Sequence, residues 1–218
     1  MTVQPISDDE RRVRSQTSDD FDEEGFLAVF DDTLHAMDRA DVPALLMGGI
    51  ASACLGRPRW THDIDLFVRP QDARKALGAL AQAGFDTEET FAEWLYKGFK
   101  DGQMVDVIFR STGDIYLDDE MLERAPTVGF LGRKVRIVPA EDLIVIKAIV
   151  HNEHMPRHWH DALSLIAVAE IDWDYLVRRA RKGARRVLSL LLYAQSNDLV
   201  VPWGPVRELF GMIDGRPQ

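Results

Sequence analysis

Asp63 and Asp65 are separated by a single residue in the run Thr61-His62-Asp63-Ile64-Asp65-Leu66. In an extended strand successive side chains alternate between faces, so these two carboxylates stand side by side. Adjacent carboxylates repel one another unless a cation lies between them. Mg²⁺ (or Mn²⁺) suits such oxygen ligands and often brings phosphate oxygens with it. Upstream, Leu46-Met47-Gly48-Gly49 reads as a strand running through a Gly-Gly turn directly into a helix. Glycines let backbone approach a ligand closely, and a helix N-terminus offers unpaired N–H groups and positive potential, an arrangement that suits phosphate. A third acid, Asp106, interrupts the apolar run Met104-Val105-Asp106-Val107-Ile108-Phe109. A lone acid in a buried strand is costly unless something compensates it, either a metal ion or a structural arginine partner.

The elements that must position these groups follow from periodicity and punctuation. Phe26 to Met37 carries apolar residues at helical spacing. Val42-Pro43 ends that helix, Ala44 to Met47 reads as a short buried strand, and Ile50 to Leu55 begins a second helix. Asp63 to Val68 is a strand, and Pro70 opens a helix that runs to Ala83 and is capped by Gly84. Residues 92–100 and 103–110 read as strands joined at Asp101-Gly102, and a second hairpin turns near Gly132 and ends at Val138. After Pro139 the pattern becomes helical, over Glu141 to Val150, Asp161 to Ala169, Trp173 to Lys182 and Arg185 to Ala194. The expected fold is therefore α+β. Residues 1–20 form an acidic tail with little to bury and are expected to be disordered. A mixed-sheet core follows to residue 139, and a helical portion covers 140–218.

The pattern Gly-Gly, then Arg-x-Thr-x-Asp-Ile-Asp-Leu, then Val-Asp-Val resembles the nucleotidyltransferase superfamily that includes DNA polymerase beta. More narrowly it resembles the minimal bacterial nucleotidyltransferases, among them the AbiEii-type toxins of abortive infection. The match covers roughly residues 44–110. A looser one continues through Glu141-Asp142-Leu143, Lys147, Arg157 and Asp161. The resemblance implies Mg²⁺-dependent transfer of a nucleoside monophosphate from an NTP such as ATP. It implies Asp63, Asp65 and Asp106 as metal-binding catalytic acids. For the nucleotide it points to Gly48, Gly49, Ser52, Arg57, Arg59, Thr61, Lys147, Arg157 and Asp161. One departure stands out: Ile50 follows the second glycine, where the superfamily usually has a phosphate-contacting Ser or Thr. Either backbone N–H groups suffice there or the site is weakened. The competing function is accordingly a weak or inactive binding protein that keeps the fold, such as one half of a toxin–antitoxin-like pair.

Composition sets the outer limits. The chain has 218 residues, a net charge of −10 and one cysteine, Cys54. No apolar run is long enough to span a bilayer, the N-terminus does not read as a secretory signal, and a lone cysteine fits a reducing cytoplasm. The acidic balance argues against non-specific coating of nucleic acid. Within it, however, Arg178, Arg179, Arg181, Lys182, Arg185 and Arg186 form a dense basic cluster. If helix persisted through Gly183 these would align into a stripe for RNA phosphates; otherwise they are a solvated face. Lys147 on an apolar helix reads equally as a snorkelling lysine, and Arg57 and Arg59 as surface residues. His151, His154, His158 and His160 lack the spacing of a closed zinc set and read as a polar helix junction near the cleft. The acceptor hydroxyl could belong to RNA, a protein side chain or a small molecule, and a protein partner is left open.

Overall fold

A computed structural model of the protein describes residues 22–58, 61 and 63–215. The acidic tail and Arg59 lie outside the described residues. Helix α1 (Glu23–Arg39) opens the chain, with Asp22 capping it through the Gly25 N–H. Strand β1 (Ala44–Leu46) leads into α2 (Gly48–Leu55). Both glycines thus belong to the first turn of the helix rather than to a turn preceding it. Strand β2 (Asp63–Val68) follows, then a short 3₁₀ turn and α3 (Ala73–Gln82). Strands β3 (Asp86–Phe91), β4 (Leu95–Lys100) and β5 (Gln103–Ile108) complete the sheet. The β4–β5 turn is the Asp101-Gly102 pair, both at positive φ (48° and 76°) as a two-residue hairpin requires.

The sheet order is β1-β2-β5-β4-β3. β2 and β5 run parallel and the other neighbours antiparallel. Register decides what each face carries. Ile64 pairs with Val105, and Val105 pairs with Gly98. A Cβ on Gly98 would stand 3.1 Å from Leu80 of α3, so this row faces α3 and the core. Ile64 and Val105 are fully buried. The next row, Asp65, Asp106 and Lys97, must face the opposite way.

Beyond the sheet come α4 (Asp119–Arg124) and the hairpin β6 (Thr127–Phe130) and β7 (Arg133–Arg136). The hairpin is tied to α1 by a bidentate Arg133–Asp31 pair at 2.6 and 2.8 Å and by Phe130 set edge-on to Phe30. Helices α5 (Ala140–Val150), α6 (Arg157–Val168), α7 (Trp173–Arg179), α8 (Ala184–Ser196) and α9 (Trp203–Asp214) form the C-terminal portion. Asp142 on α5 is 2% exposed. It accepts hydrogen bonds from the Tyr175 hydroxyl (2.6 Å) and from Arg179 Nε (2.5 Å) on α7. Burial pushes its carboxyl up to about 6 against the downward pull of Arg179 and Tyr175. Arg179 also reaches Asp118 at the cap of α4. This network fixes α5, which carries Lys147.

The basic cluster does not form the continuous stripe that an unbroken helix would give. α7 ends at Arg179, residues Ala180–Gly183 form a 3₁₀ turn, and α8 starts afresh at Ala184. The break lets the chain press on α5, where a Cβ at Gly183 would stand 2.3 Å from Ile149. Several of the charges also have partners within the chain. Arg178 pairs with Glu120 and Arg179 with Asp118 and Asp142, while Lys182 binds the Asp114 carbonyl and Arg186 the His151 carbonyl. Among the described residues no helix is long and apolar enough to cross a membrane.

Candidate active site

A cavity of about 510 Å³ lies where the α2 N-terminus, the strands β2 and β5, and the helices α5 and α6 meet. Asp63, Asp65 and Asp106 all line it, as do Gly48, Gly49 and Thr61. Lys147, Arg157 and Asp161 line its helical wall. The structure thus brings together nine of the residues singled out from the sequence. The local reasons are plain. Alternation along β2 puts Asp63 and Asp65 on one face, and the parallel register places Asp106 directly beside Asp65.

Gly48 explains why the strand must turn on glycine. Its φ is +59°, a left-handed conformation that side chains disfavour. A Cβ there would stand 1.9 Å from Asp65 Oδ2. The Gly49 N–H donates to the Asp65 carboxylate, and the Met47 N–H donates to the Asp65 carbonyl at 2.9 Å. The α2 N-terminus is therefore built around Asp65. Burial pushes the Asp65 carboxyl up to about 6, and the charges of Asp106 and Asp63 push the same way; the Gly49 hydrogen bond and Lys147 pull it down.

Lys147 and Asp161 form a buried pair at 2.7 Å, with side chains 5% and 9% exposed. The pairing ties α5 to α6, so Lys147 does not run out to solvent as a snorkelling lysine would. Arg157 and Asp161 sit one turn apart on α6. That helix starts four residues earlier than the apolar pattern indicated, which is what brings Arg157 to the cavity.

Two expected residues stand elsewhere. Ser52 is buried and donates its hydroxyl to the Gly48 carbonyl at 2.7 Å, so it braces the glycine turn from behind. Arg57 is exposed, does not line the cavity, and donates its backbone N–H to Ser164. Ile50 is fully buried in the core. The residue that departs from the superfamily pattern thus packs into the protein interior.

Sequence reasoning missed Lys97, whose Nζ lies 2.6 Å from Asp106 Oδ1. The structural partner allowed for Asp106 was an arginine; the observed one is a lysine on the neighbouring strand. Only the β4–β5 register reveals it. Trp94, Arg110 and Asp114 also line the cavity without having been singled out. His158 lines it as well, at the helix junction the histidines suggested. Burial, then Lys147 and Arg157, lower its pKa to about 4 and keep it neutral.

The donor set suits a hard divalent cation: three carboxylates line one cavity, and a cation would offset the burial and then the neighbouring charges of Asp106 and Asp63 that raise Asp65. Among the described residues no acids, histidines or cysteines are gathered into a ready-made three-ligand group.

Comparison with known proteins bears on the fold and the family. The solution structure of the antibiotic-resistance factor ANT(2″)-Ia is similar in fold, with a TM-score of 0.52 and 16% identity; the similarity covers 81% of this chain and 94% of that one. The crystal structure of ANT(2″)-Ia in complex with adenylyl-2″-tobramycin gives a TM-score of 0.50 and 18% identity, covering 78% and 97%. No curated protein matches the sequence. A model of the family described as "Uncharacterised nucleotidyltransferase" matches residues 24–196. A match over that much of the chain, carrying every carboxylate and glycine of the cavity, places the protein in this nucleotidyltransferase family, as an enzyme that transfers nucleotidyl groups.

Proposed function

We propose that the protein transfers a nucleoside monophosphate from an NTP to a hydroxyl of a small molecule, using Mg²⁺ or Mn²⁺ held by Asp63, Asp65 and Asp106. The observation that carries this reading is the Asp65–Asp106 pair, in register on adjacent parallel strands, with Gly48 pressed against Asp65 at a distance no side chain allows. Mg²⁺ is commonly held by one or two carboxylates together with substrate phosphates. An open seat without a closed protein cage therefore suits a site that the NTP itself completes.

The bound metal would sharpen the attacking hydroxyl and neutralise charge on the leaving pyrophosphate. The chain's own groups do the rest. The positive end of α2 would favour phosphate beside Asp65, whose carboxylate already takes the Gly49 N–H. Arg157 adds a guanidinium from the opposite wall, and the buried Lys147–Asp161 pair sets the spacing of that wall. Asp106 would accept the proton given up by the acceptor hydroxyl. Thr61 flanks Asp63 at the entrance to β2.

A cavity of about 510 Å³ suits a small molecule beside a nucleotide tail. ANT(2″)-Ia was crystallised with adenylyl-2″-tobramycin, and a compact acceptor bearing hydroxyls is the kind we assign here. The helix break at Ala180–Gly183 and the contacts of Arg178, Arg179, Lys182 and Arg186 within the chain favour a small-molecule acceptor over RNA. Ile50 is buried in the core and offers the site no hydroxyl, so on this reading backbone N–H groups meet the phosphate in its place.

Nucleotide binding provides a direct test. An NTP with Mg²⁺ is expected to raise the melting temperature, because a ligand that binds only the native state stabilises it. The Asp63→Asn, Asp65→Asn double variant should lose the metal-dependent part of that rise. An unchanged rise in the double variant would place the nucleotide elsewhere.

A further inference from the structure

Lys97 is absent from the cavity lining yet touches the site through one bond. It sits on β4 directly opposite Asp106 on β5. Its Nζ lies 2.6 Å from Asp106 Oδ1 and 3.1 Å from Met104 Sδ. The side chains of Lys97 and Asp106 are 19% and 16% exposed, so water screens the pair only weakly. On its other side Asp106 has Asp65, one strand away and in register. Without Lys97, Asp106 would face a like charge across β2 with no counter-charge across β4, and its side chain would be free to turn away from Asp65.

From this geometry, and resting on the metal-dependent reading above, we infer that Lys97 is a positioning residue that holds the Asp106 carboxylate in place for the metal. Lys97 takes Oδ1, which leaves Oδ2 for a cation. Met104 also contacts the ammonium from the same strand as Asp106, so Nζ is held between two side chains of β5. A hydrogen-bonded partner behind a metal-binding carboxylate commonly changes metal affinity or activity by 10–100-fold when removed. The role is distinct from catalysis, since Lys97 does not reach the cavity where the reacting atoms would lie.

Mn²⁺ binding to the full chain, followed by the loss of the free-ion spin-resonance signal, tests this without turnover. Lys97→Met keeps the length and removes the charge. It is expected to weaken Mn²⁺ binding roughly 10-fold or more, and Lys97→Arg should restore part of the loss. The decisive comparison is made on Asp106→Asn, where Lys97→Met should produce little further weakening because the group it positions is already altered. Wild-type protein that binds Mn²⁺ no better than Asp63→Asn would overturn the metal reading itself. Wild-type binding matched by Lys97→Met, or an equal Lys97→Met loss with and without Asp106, would overturn the positioning role alone.

Discussion

Gly48→Ala is expected to reduce nucleotidyl transfer by roughly 100-fold or more while leaving a folded protein. Two effects combine at this position. The φ of +59° is unfavourable for alanine, costing about 1–2 kcal/mol. The larger effect is positional: the new Cβ would stand 1.9 Å from Asp65 Oδ2, so either the carboxylate or the α2 N-terminus must move. Displacement of about 1 Å at a reacting centre can cost two orders of magnitude in rate. Gly132→Ala is the matching control. Its φ is +79°, comparable strain, and no atom lies within 4 Å of its would-be Cβ. It should lower the melting temperature by a similar amount and leave turnover intact. Equal losses of activity in both variants would show that backbone strain, and not the Gly48–Asp65 contact, is responsible.

Asp65→Asn is expected to do two opposite things. In metal-free protein at neutral pH it should stabilise the fold, on the order of 2 kcal/mol or roughly 4–8 °C in melting temperature. Burial, reinforced by Asp106 and Asp63, pushes the Asp65 carboxyl up to about 6. Keeping it ionised above that pH therefore works against folding, and asparagine removes the charge while retaining an oxygen for the Gly49 N–H. The pH dependence fixes the sign. A carboxyl whose folded pKa is raised favours the folded state below its unfolded value near 3.8, and that contribution is lost as pH rises through about 6. The advantage of Asp65→Asn should thus be largest near pH 7.5 and fade towards pH 4. At the same time the variant should lose the metal-dependent rise in melting temperature. A variant less stable than wild type at pH 7.5 without metal would contradict the electrostatic account. Gains in stability from removing a functional charge are an expected trade-off at such sites.

The sequence could reveal Asp65 because strand alternation and Gly-Gly are local patterns, and the Asp101-Gly102 turn marked β4 and β5 for the same reason. Lys97 could not be found this way. Its partner lies nine residues away, and only the cross-strand register joins them. β3 escaped because Asp86 to Glu89 are exposed on an edge strand, leaving no apolar alternation to read. α4 is six residues long, too short for a helical period to register. α9 was masked by Pro202, Gly204 and Pro205, which read as breakers; Pro205 sits in the first turn, where its missing N–H costs nothing. For the basic cluster the open question was whether helix persists through Gly183. The 3₁₀ turn answers it, and Glu120, Asp118 and Asp142, which pair with Arg178 and Arg179, lie too far away in sequence to be read as their partners.

The central claim is that this cavity moves the α-phosphoryl group of an NTP together with its nucleoside, on carboxylates from β2 and β5. Its most direct test is to incubate the full chain with Mg²⁺ or Mn²⁺ and each NTP labelled either at the α- or at the γ-phosphate, supplying a pool of small hydroxyl-bearing metabolites and antibiotics as acceptors. The account predicts that α-label passes to a small acceptor, that γ-label leaves as pyrophosphate, and that both events vanish in Asp63→Asn and Asp65→Asn. Transfer of γ-label to the acceptor, or α-label transfer that survives both substitutions, would contradict it.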